Sequence, residues 1–220
     1  TIALVIDRMK RCKQLDCLIL ATSTDPSDNP LIDIADREGI SSFRGSLDDV
    51  ALRFYETCMH FDLTHFARIT GDALMCDEIM LDQAIVSHLK SGADVTFIKN
   101  MPFGTNKEII NIETLKTIID NVFVPSNTEY LEYFLENDRY FNINYLKSNY
   151  DFDKSYRITL DYEEDLKFFE RIYSHFNRFK PIFSLEDVLL YLKNNPEVVK
   201  INSIKKQKFK ANEINVSLDI

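Results

Sequence analysis

Over its first hundred residues the chain alternates short apolar runs with stretches whose apolar residues recur at helical spacing, and this alternation restricts the fold more than any other feature. Residues 17–22 form a continuous apolar run ending in a polar cluster, the pattern of a strand buried on both faces. A polar turn over 23–29 leads to a helical pattern over 30–38 that stops at Gly39. A short strand over 40–43, a turn at Arg44-Gly45-Ser46 and a helical pattern over 48–59 follow. Strands over 66–70 and 94–98 then flank a helix over 78–90. Strand–helix repeats of this size predict an α/β fold with a largely parallel sheet covered by helices.

The second half is looser. A strand is expected over 107–111, helices over 112–120 and 128–136, and antiparallel strands or an arm in the aromatic stretch 140–150. Residues 156–160 return to strand character and 162–176 form an amphipathic helix. Ser184-x-x-Asp187 predicts a capping box for a further helix that ends near Pro196. At 220 residues one domain is expected, over 1–204, with residues 205–220 as a loose tail. The chain opens on a helical pattern over 2–9 where a doubly wound domain usually opens with a strand and a ligand-binding turn. It therefore reads as a fragment or a processed product.

A formal charge of −9 argues against a surface that coats nucleic acid. No apolar run reaches the length of a membrane span and no secretory signal is visible, so a cytoplasmic location is expected. Cys12, Cys17, Cys58 and Cys76 show neither zinc nor disulfide-framework spacing and read as free thiols. His60, His65, His88 and His175 fall in no ligand spacing and read as surface or edge residues.

Chemistry concentrates where strands end. The run Phe66-Ala67-Arg68-Ile69-Thr70-Gly71-Asp72 is a strand that stops at a glycine and presents an aspartate. Ligands in open α/β sheets sit beyond the carboxyl ends of the strands. Asp72 is therefore either a ligand-side acid, able to hold a divalent ion against phosphate, or an Asx-turn residue. Gly71 would let a backbone approach closely. Asp161 ends the second such run and fits both a helix cap, with Glu164, and a metal ligand shared with Asp72. Arg44 could meet phosphate or a base edge, while Asp48 and Asp49 also suit the first turn of a helix. Arg68, inside a strand, needs a partner. Only five glycines occur and none forms a Walker or dinucleotide loop. Asp151-x-Asp153 has the spacing of a glycosyltransferase metal motif but sits in a loose aromatic stretch and reads as a solvated loop.

In order along the chain, several segments resemble the sugar-activating cytidylyltransferases of the spore-coat polysaccharide type, related to the synthetases of CMP-Kdo and CMP-sialic acid. They are Val5-Ile6-Asp7-Arg8-Met9-Lys10-Arg11, the run from Leu20 to Pro30, Phe43-Arg44-Gly45-Ser46-Leu47-Asp48-Asp49-Val50 and Arg68-Ile69-Thr70-Gly71-Asp72. Ser91-Gly92-Ala93-Asp94, Leu160-Asp161-Tyr162-Glu163-Glu164-Asp165-Leu166, the run from Phe183 to Val188 and Asn195-Pro196-Glu197 complete the set. The resemblance implies a Rossmann-like, nucleotide-diphospho-sugar-transferase (GT-A-like) fold with three α/β/α layers. It implies a reaction of CTP with a sugar or sugar acid to give a CMP-sugar and pyrophosphate, with magnesium held by Asp72 and Asp161. Ala21, Thr22, Ser23, Arg44, Ser46, Asp48, Asp49, Arg68 and Gly71 are implied on the nucleotide side. Asn106, Glu108 and Glu129 are implied on the sugar side.

The sequence departs from that family in three places. Its opening strand and basic triphosphate loop have no counterpart among these 220 residues. Gly104-Thr105-Asn106-Lys107-Glu108 carries Asn106 where an acid is usual, and Thr128-Glu129-Tyr130-Leu131-Glu132 keeps only Glu129 of its motif. A catalytically degenerate binding homologue and a GT-A-type glycosyltransferase are the alternative readings. Relatives pair through the region corresponding to 100–150, so a homodimer is expected there. Tyr140, Phe141, Tyr145, Tyr150 and Phe152 would form either that interface or a second small core.

Overall fold

A computed structural model describes residues 1–105, 107–122, 125–179 and 182–203, with the side chains of 125–127 and 179 excepted. Asn106 and the tail 205–220 lie outside the described residues.

The first helix, α1 (Ile2–Met9), leads into β1 (Ile19–Ser23), α2 (Asn29–Glu38) and β2 (Ser41–Gly45). The crossover through α2 makes β1 and β2 parallel, with Ile19 opposite Ser41 and Ser23 opposite Gly45. Gly39 ends α2 in the left-handed conformation, φ +64°, as its position after the helical pattern requires. Helix α3 (Val50–His60) then leads to a second sheet of four strands. Its spatial order is β3 (His65–Arg68), β5 (Glu108–Asn111), β4 (Val95–Lys99) and β6 (Ile143–Lys147).

β5 runs antiparallel to both of its neighbours, β3 and β4. The link from β4 to β5, residues 100–107, is shorter than the dozen or so residues a parallel crossover needs, so the chain must double back. β6 is parallel to β4, not antiparallel as the aromatic stretch alone suggested. The reason is the long return through β5, α5 (Ile112–Asn121) and α6 (Leu131–Leu135), which brings the chain back to the starting end. Residues 156–160 contribute a single parallel bridge between Phe103 and Arg157 where a full strand was expected.

Alternation along β4 and β5 produces two covered faces. Val95, Phe97 and Ile110 point into a core with Ala51 of α3, Leu115 and Ile118 of α5, and Leu131 and Phe134 of α6. Ile98 and Ile109 point the other way, into the larger core formed with α4 (Glu78–Ser91), α7 (Glu163–Phe179) and α8 (Leu185–Asn194). The result is a three-layer α/β/α arrangement. α1 joins it through Val5 and Met9, and its buried Arg8 pairs with Glu78 at 3.0 Å. Of the aromatics in 140–152, Phe141 is buried in the smaller core, while Tyr150 and Phe152 pack against the larger one. Tyr140 and Tyr145 stay exposed.

Among the described residues β1 pairs only with β2, and β3 only with β5. Their free edges border one cleft of about 630 Å³, walled by Val5 and Ile6 of α1, Phe54 and Cys58 of α3, and Phe66 of β3. His88 also borders it and is buried, which corrects its reading as a surface residue. Its Nδ1 meets Thr96 Oγ1 at 2.9 Å and its Nε2 has no partner among the described residues. Burial, with His65 beside it, pushes the His88 pKa down to about 4.

Candidate active site

The turn after β3 is set by the buried run beyond it. Ala73, Leu74, Met75 and Cys76 all lie in the larger core, which leaves Asp72 at the rim. Backbone hydrogen bonds from Ala73 N to Thr70 O, 3.1 Å, and from Leu74 N to Asp72 O, 3.0 Å, close the turn. Asp77 ends it as the cap of α4, accepting from Ile79 N and Met80 N and from the Tyr150 hydroxyl. Gly71 is exposed, and an added Cβ would meet only Ile2 Cδ1 at 3.5 Å, so the local backbone places no demand for glycine there.

The carboxylate of Asp72 accepts from Thr159 Oγ1 at 2.7 Å. Burial by itself would push its pKa up, but the hydroxyls of Thr70 and Thr159 and the Lys107 ammonium outweigh that and hold it below the usual carboxylate range. Asp72 is thus an ionised, oriented carboxylate at neutral pH. Lys107, itself buried, donates to Thr70 Oγ1 at 3.2 Å. Lys107 and Thr159 carry no motif of their own, and their only sign in the sequence is proximity to Glu108 and Asp161.

On the opposite side of β3 and β5, Arg68 pairs with Glu108, its register partner, and with Glu132 at 2.8 Å. This supplies the partner that a buried arginine requires, and leaves one cation between two carboxylates. Glu129, expected on the sugar side, is exposed in the 3-10 segment 125–130, and it is Glu132 that reaches this cluster.

The Asp161 carboxylate is paired with Arg157, and Asp165, in the first turn of α7, reaches back to accept from Asp161 N at 2.9 Å and Tyr162 N at 3.0 Å. Residues 157–161 therefore reach Asp72 through Thr159 and also carry Asp161.

The nucleotide-side residues build a wall. Asp28 Oδ2 accepts from Thr22 Oγ1 at 2.8 Å, Ser23 Oγ at 2.5 Å and Ser23 N at 3.1 Å. Arg44 donates to Ser23 O, Asn29 Oδ1 and Asp25 O, between 2.8 and 2.9 Å, so its guanidinium staples the 23–29 loop to β2. Ser46 Oγ accepts from Asp49 N, and Asp49 caps α3 through Leu52 N while accepting from Thr128 Oγ1. Asp48 is exposed. Ala21, Thr22 and Gly71 border the same cleft, which brings the β1 wall and the Asp72 turn to one opening. Asp151 and Asp153 are exposed, Asp151 pairing with Lys193 and Asp153 accepting from Ser155 N, as a solvated loop should.

Among the described residues no three His, Cys, Asp or Glu side chains gather as a metal cage. Magnesium asks for fewer protein ligands than such a cage, because that ion usually keeps waters and substrate phosphates as its remaining ligands. No helix of the described residues is long and apolar enough to cross a membrane.

The sequence model for a family described as cytidylyltransferase matches residues 2–182. The chain is 28% identical over 207 residues to an uncharacterised protein of Methanocaldococcus jannaschii, covering 93% of this chain and 84% of that protein. It is also 28% identical over 188 residues to the spore coat polysaccharide biosynthesis protein SpsF of Bacillus subtilis, covering 84% of this chain and 78% of that one. Its fold is similar to the solved structure of a cytidylyltransferase from Leptospira borgpetersenii, with TM-score 0.84, 23% identity, and coverage of 94% of this chain and 87% of that one. A CMP:2-keto-3-deoxy-manno-octonic acid synthetase complexed with CTP shares the fold at TM-score 0.58 and 11% identity, over 80% of this chain and 87% of that one.

Proposed function

The chain belongs to the cytidylyltransferase family, and from that premise we propose that it transfers the cytidylyl group of CTP to a sugar or sugar acid. The product would be a CMP-sugar that feeds the synthesis of a surface polysaccharide or glycoconjugate, and the other product would be pyrophosphate. The observation that carries this reading is Asp72, an ionised carboxylate beyond the carboxyl end of β3, held by Thr159, with its neighbour Gly71 in the cleft that β1 also lines. The chain's likeness to a spore coat polysaccharide protein and to the fold of a CTP-bound synthetase supports the choice of substrates.

In this reaction a sugar hydroxyl attacks the α-phosphorus and gives up its proton to water, the bond from that phosphorus to the α,β-bridging oxygen breaks, and pyrophosphate leaves with that electron pair. The protein's part is positioning and charge stabilisation. Asp72 and Asp161 are the residues that would hold magnesium, which when bound supplies positive charge against the triphosphate. Arg44 and Asp28 fix the 23–29 loop that would contact the nucleotide, with Ala21, Thr22, Ser23 and Ser46 beside it. Arg68 holds Glu108 and Glu132 in place on the side where the sugar would sit. A homodimer through the exposed face of β6, and a cytoplasmic site of action, belong to the same proposal.

The test is pyrophosphate release from CTP with a panel of sugars and sugar acids. Asp72→Asn is expected to lower turnover by about 100-fold or more with little change in unfolding midpoint. Unchanged turnover would remove Asp72 from the mechanism. No release with any pair would favour a homologue that binds nucleotide or partner without chemistry.

A further inference from the structure

Arg157 makes more contacts than a structural arginine needs. Its side chain is 6% exposed and forms a two-pronged pair with Asp165, Nε to Oδ1 and Nη2 to Oδ2, both at 3.0 Å. Asp165 is fully buried, and its remaining capacity is filled by Asp161 N, Tyr162 N and Asn202 Nδ2 at 2.8 Å. That pair alone satisfies the buried charge on both sides. The guanidinium nevertheless uses Nη2 a second time, on Oδ2 of Asp161, a side chain that is 29% exposed.

Two aromatic rings flank the guanidinium as well. The rings of Phe103 and Tyr162 lie 5.4 and 5.3 Å from it. The backbone of Phe103 is tied to the same segment, its carbonyl accepting from Ile158 N at 2.9 Å. Gly104 comes next with φ +90°, and a Cβ there would collide with the Ile158 carbonyl and with Thr159. Only glycine lets this loop close on residues 157–159. The same short segment carries Thr159, which fixes Asp72.

We propose that Arg157 is a positioning residue for Asp161: it occupies Oδ2 and leaves Oδ1 as the oxygen that meets a divalent cation shared with Asp72. This rests on the reading of Asp72 and Asp161 as cation ligands. One guanidinium set against two carboxylates leaves the group net negative, so Asp161 keeps charge for a cation. A lysine could supply the charge but not the fork that reaches Asp165 and Asp161 together.

The experiment is Mn²⁺ binding, followed by the paramagnetic resonance of the free ion, with and without CTP. Wild type, Arg157→Lys and Asp161→Asn are compared, with circular dichroism and unfolding midpoints as the check on folding. Arg157→Lys is expected to weaken Mn²⁺ binding by about 10- to 100-fold, the usual effect of removing a residue that orients a metal ligand. Should Arg157→Lys fail to fold, Tyr162→Leu removes one wall of the sandwich and leaves both ion pairs, and a severalfold weakening is expected. A folded Arg157→Lys or Tyr162→Leu protein that binds Mn²⁺ as wild type does overturns the proposal while the cation reading stands. Wild type that binds no Mn²⁺ even with CTP overturns that underlying reading, and the proposal with it.

Discussion

At the scale of single residues, Gly104 and His88 make opposite demands on their surroundings. Gly104→Ala forces a methyl group against a backbone carbonyl at a positive φ, so an increase in unfolding sensitivity equivalent to about 3 kcal/mol is expected in urea titration. His88 acts through protons. Burial lowers its pKa from 6.5 to about 4, so between those values the unfolded chain binds more protons than the folded one. Its contribution to stability is complete above about pH 6.5 and is lost as pH falls toward 4. His88→Gln should flatten that part of the stability–pH curve, and identical slopes in the two proteins would discount the residue. The place of Asp72 beyond the end of β3 was legible from the strand and glycine before it. The partners of Arg68 and Asp72 were not, because Glu132 and Thr159 lie far along the chain and reach them only through tertiary packing. Asp161 illustrates a nearer failure. Asp161-x-x-Glu164 has cap spacing, but the Asp161 side chain pairs with Arg157, four residues back, a contact that the spacing does not announce.

Elements were legible where their signals are local. Ser184 accepts from Asp187 N at 3.1 Å and Asp187 Oδ2 accepts from Ser184 N at 2.8 Å, the reciprocal cap that the spacing predicts for α8. Ser184→Ala should cost about 1 kcal/mol, read as a lowered thermal midpoint. Leu185, Val188, Leu189 and Leu192 dock α8 into the larger core, so the loss is expected in global unfolding and not as fraying of one helix. Strand direction was not legible in the same way. Nothing within residues 140–150 says which end of the sheet the chain has reached, and the answer lies in the short link that reversed β5 and the long return after it. Residues 156–160 have strand composition but are occupied by Phe103 on one side and the carboxylate cluster on the other, so a single bridge forms.

At the scale of the whole molecule, stability should be graded across the sheet. β4 and β5 have a neighbour on each side and a packed core on each face, whereas β1 and β3 each turn one edge to the cleft. Amide hydrogen exchange is expected to be faster in residues 19–23 and 65–68 than in 95–98 and 108–110, and uniform protection would contradict this gradient. The cleft has a further consequence for anyone who handles the protein. Where β1 and β3 pair with no further described strand, their edges, set in apolar walls, can take up one more extended segment, of this protein or of another. Where no such segment fills the cleft, concentrating the sample should raise turbidity out of proportion to the amount of protein.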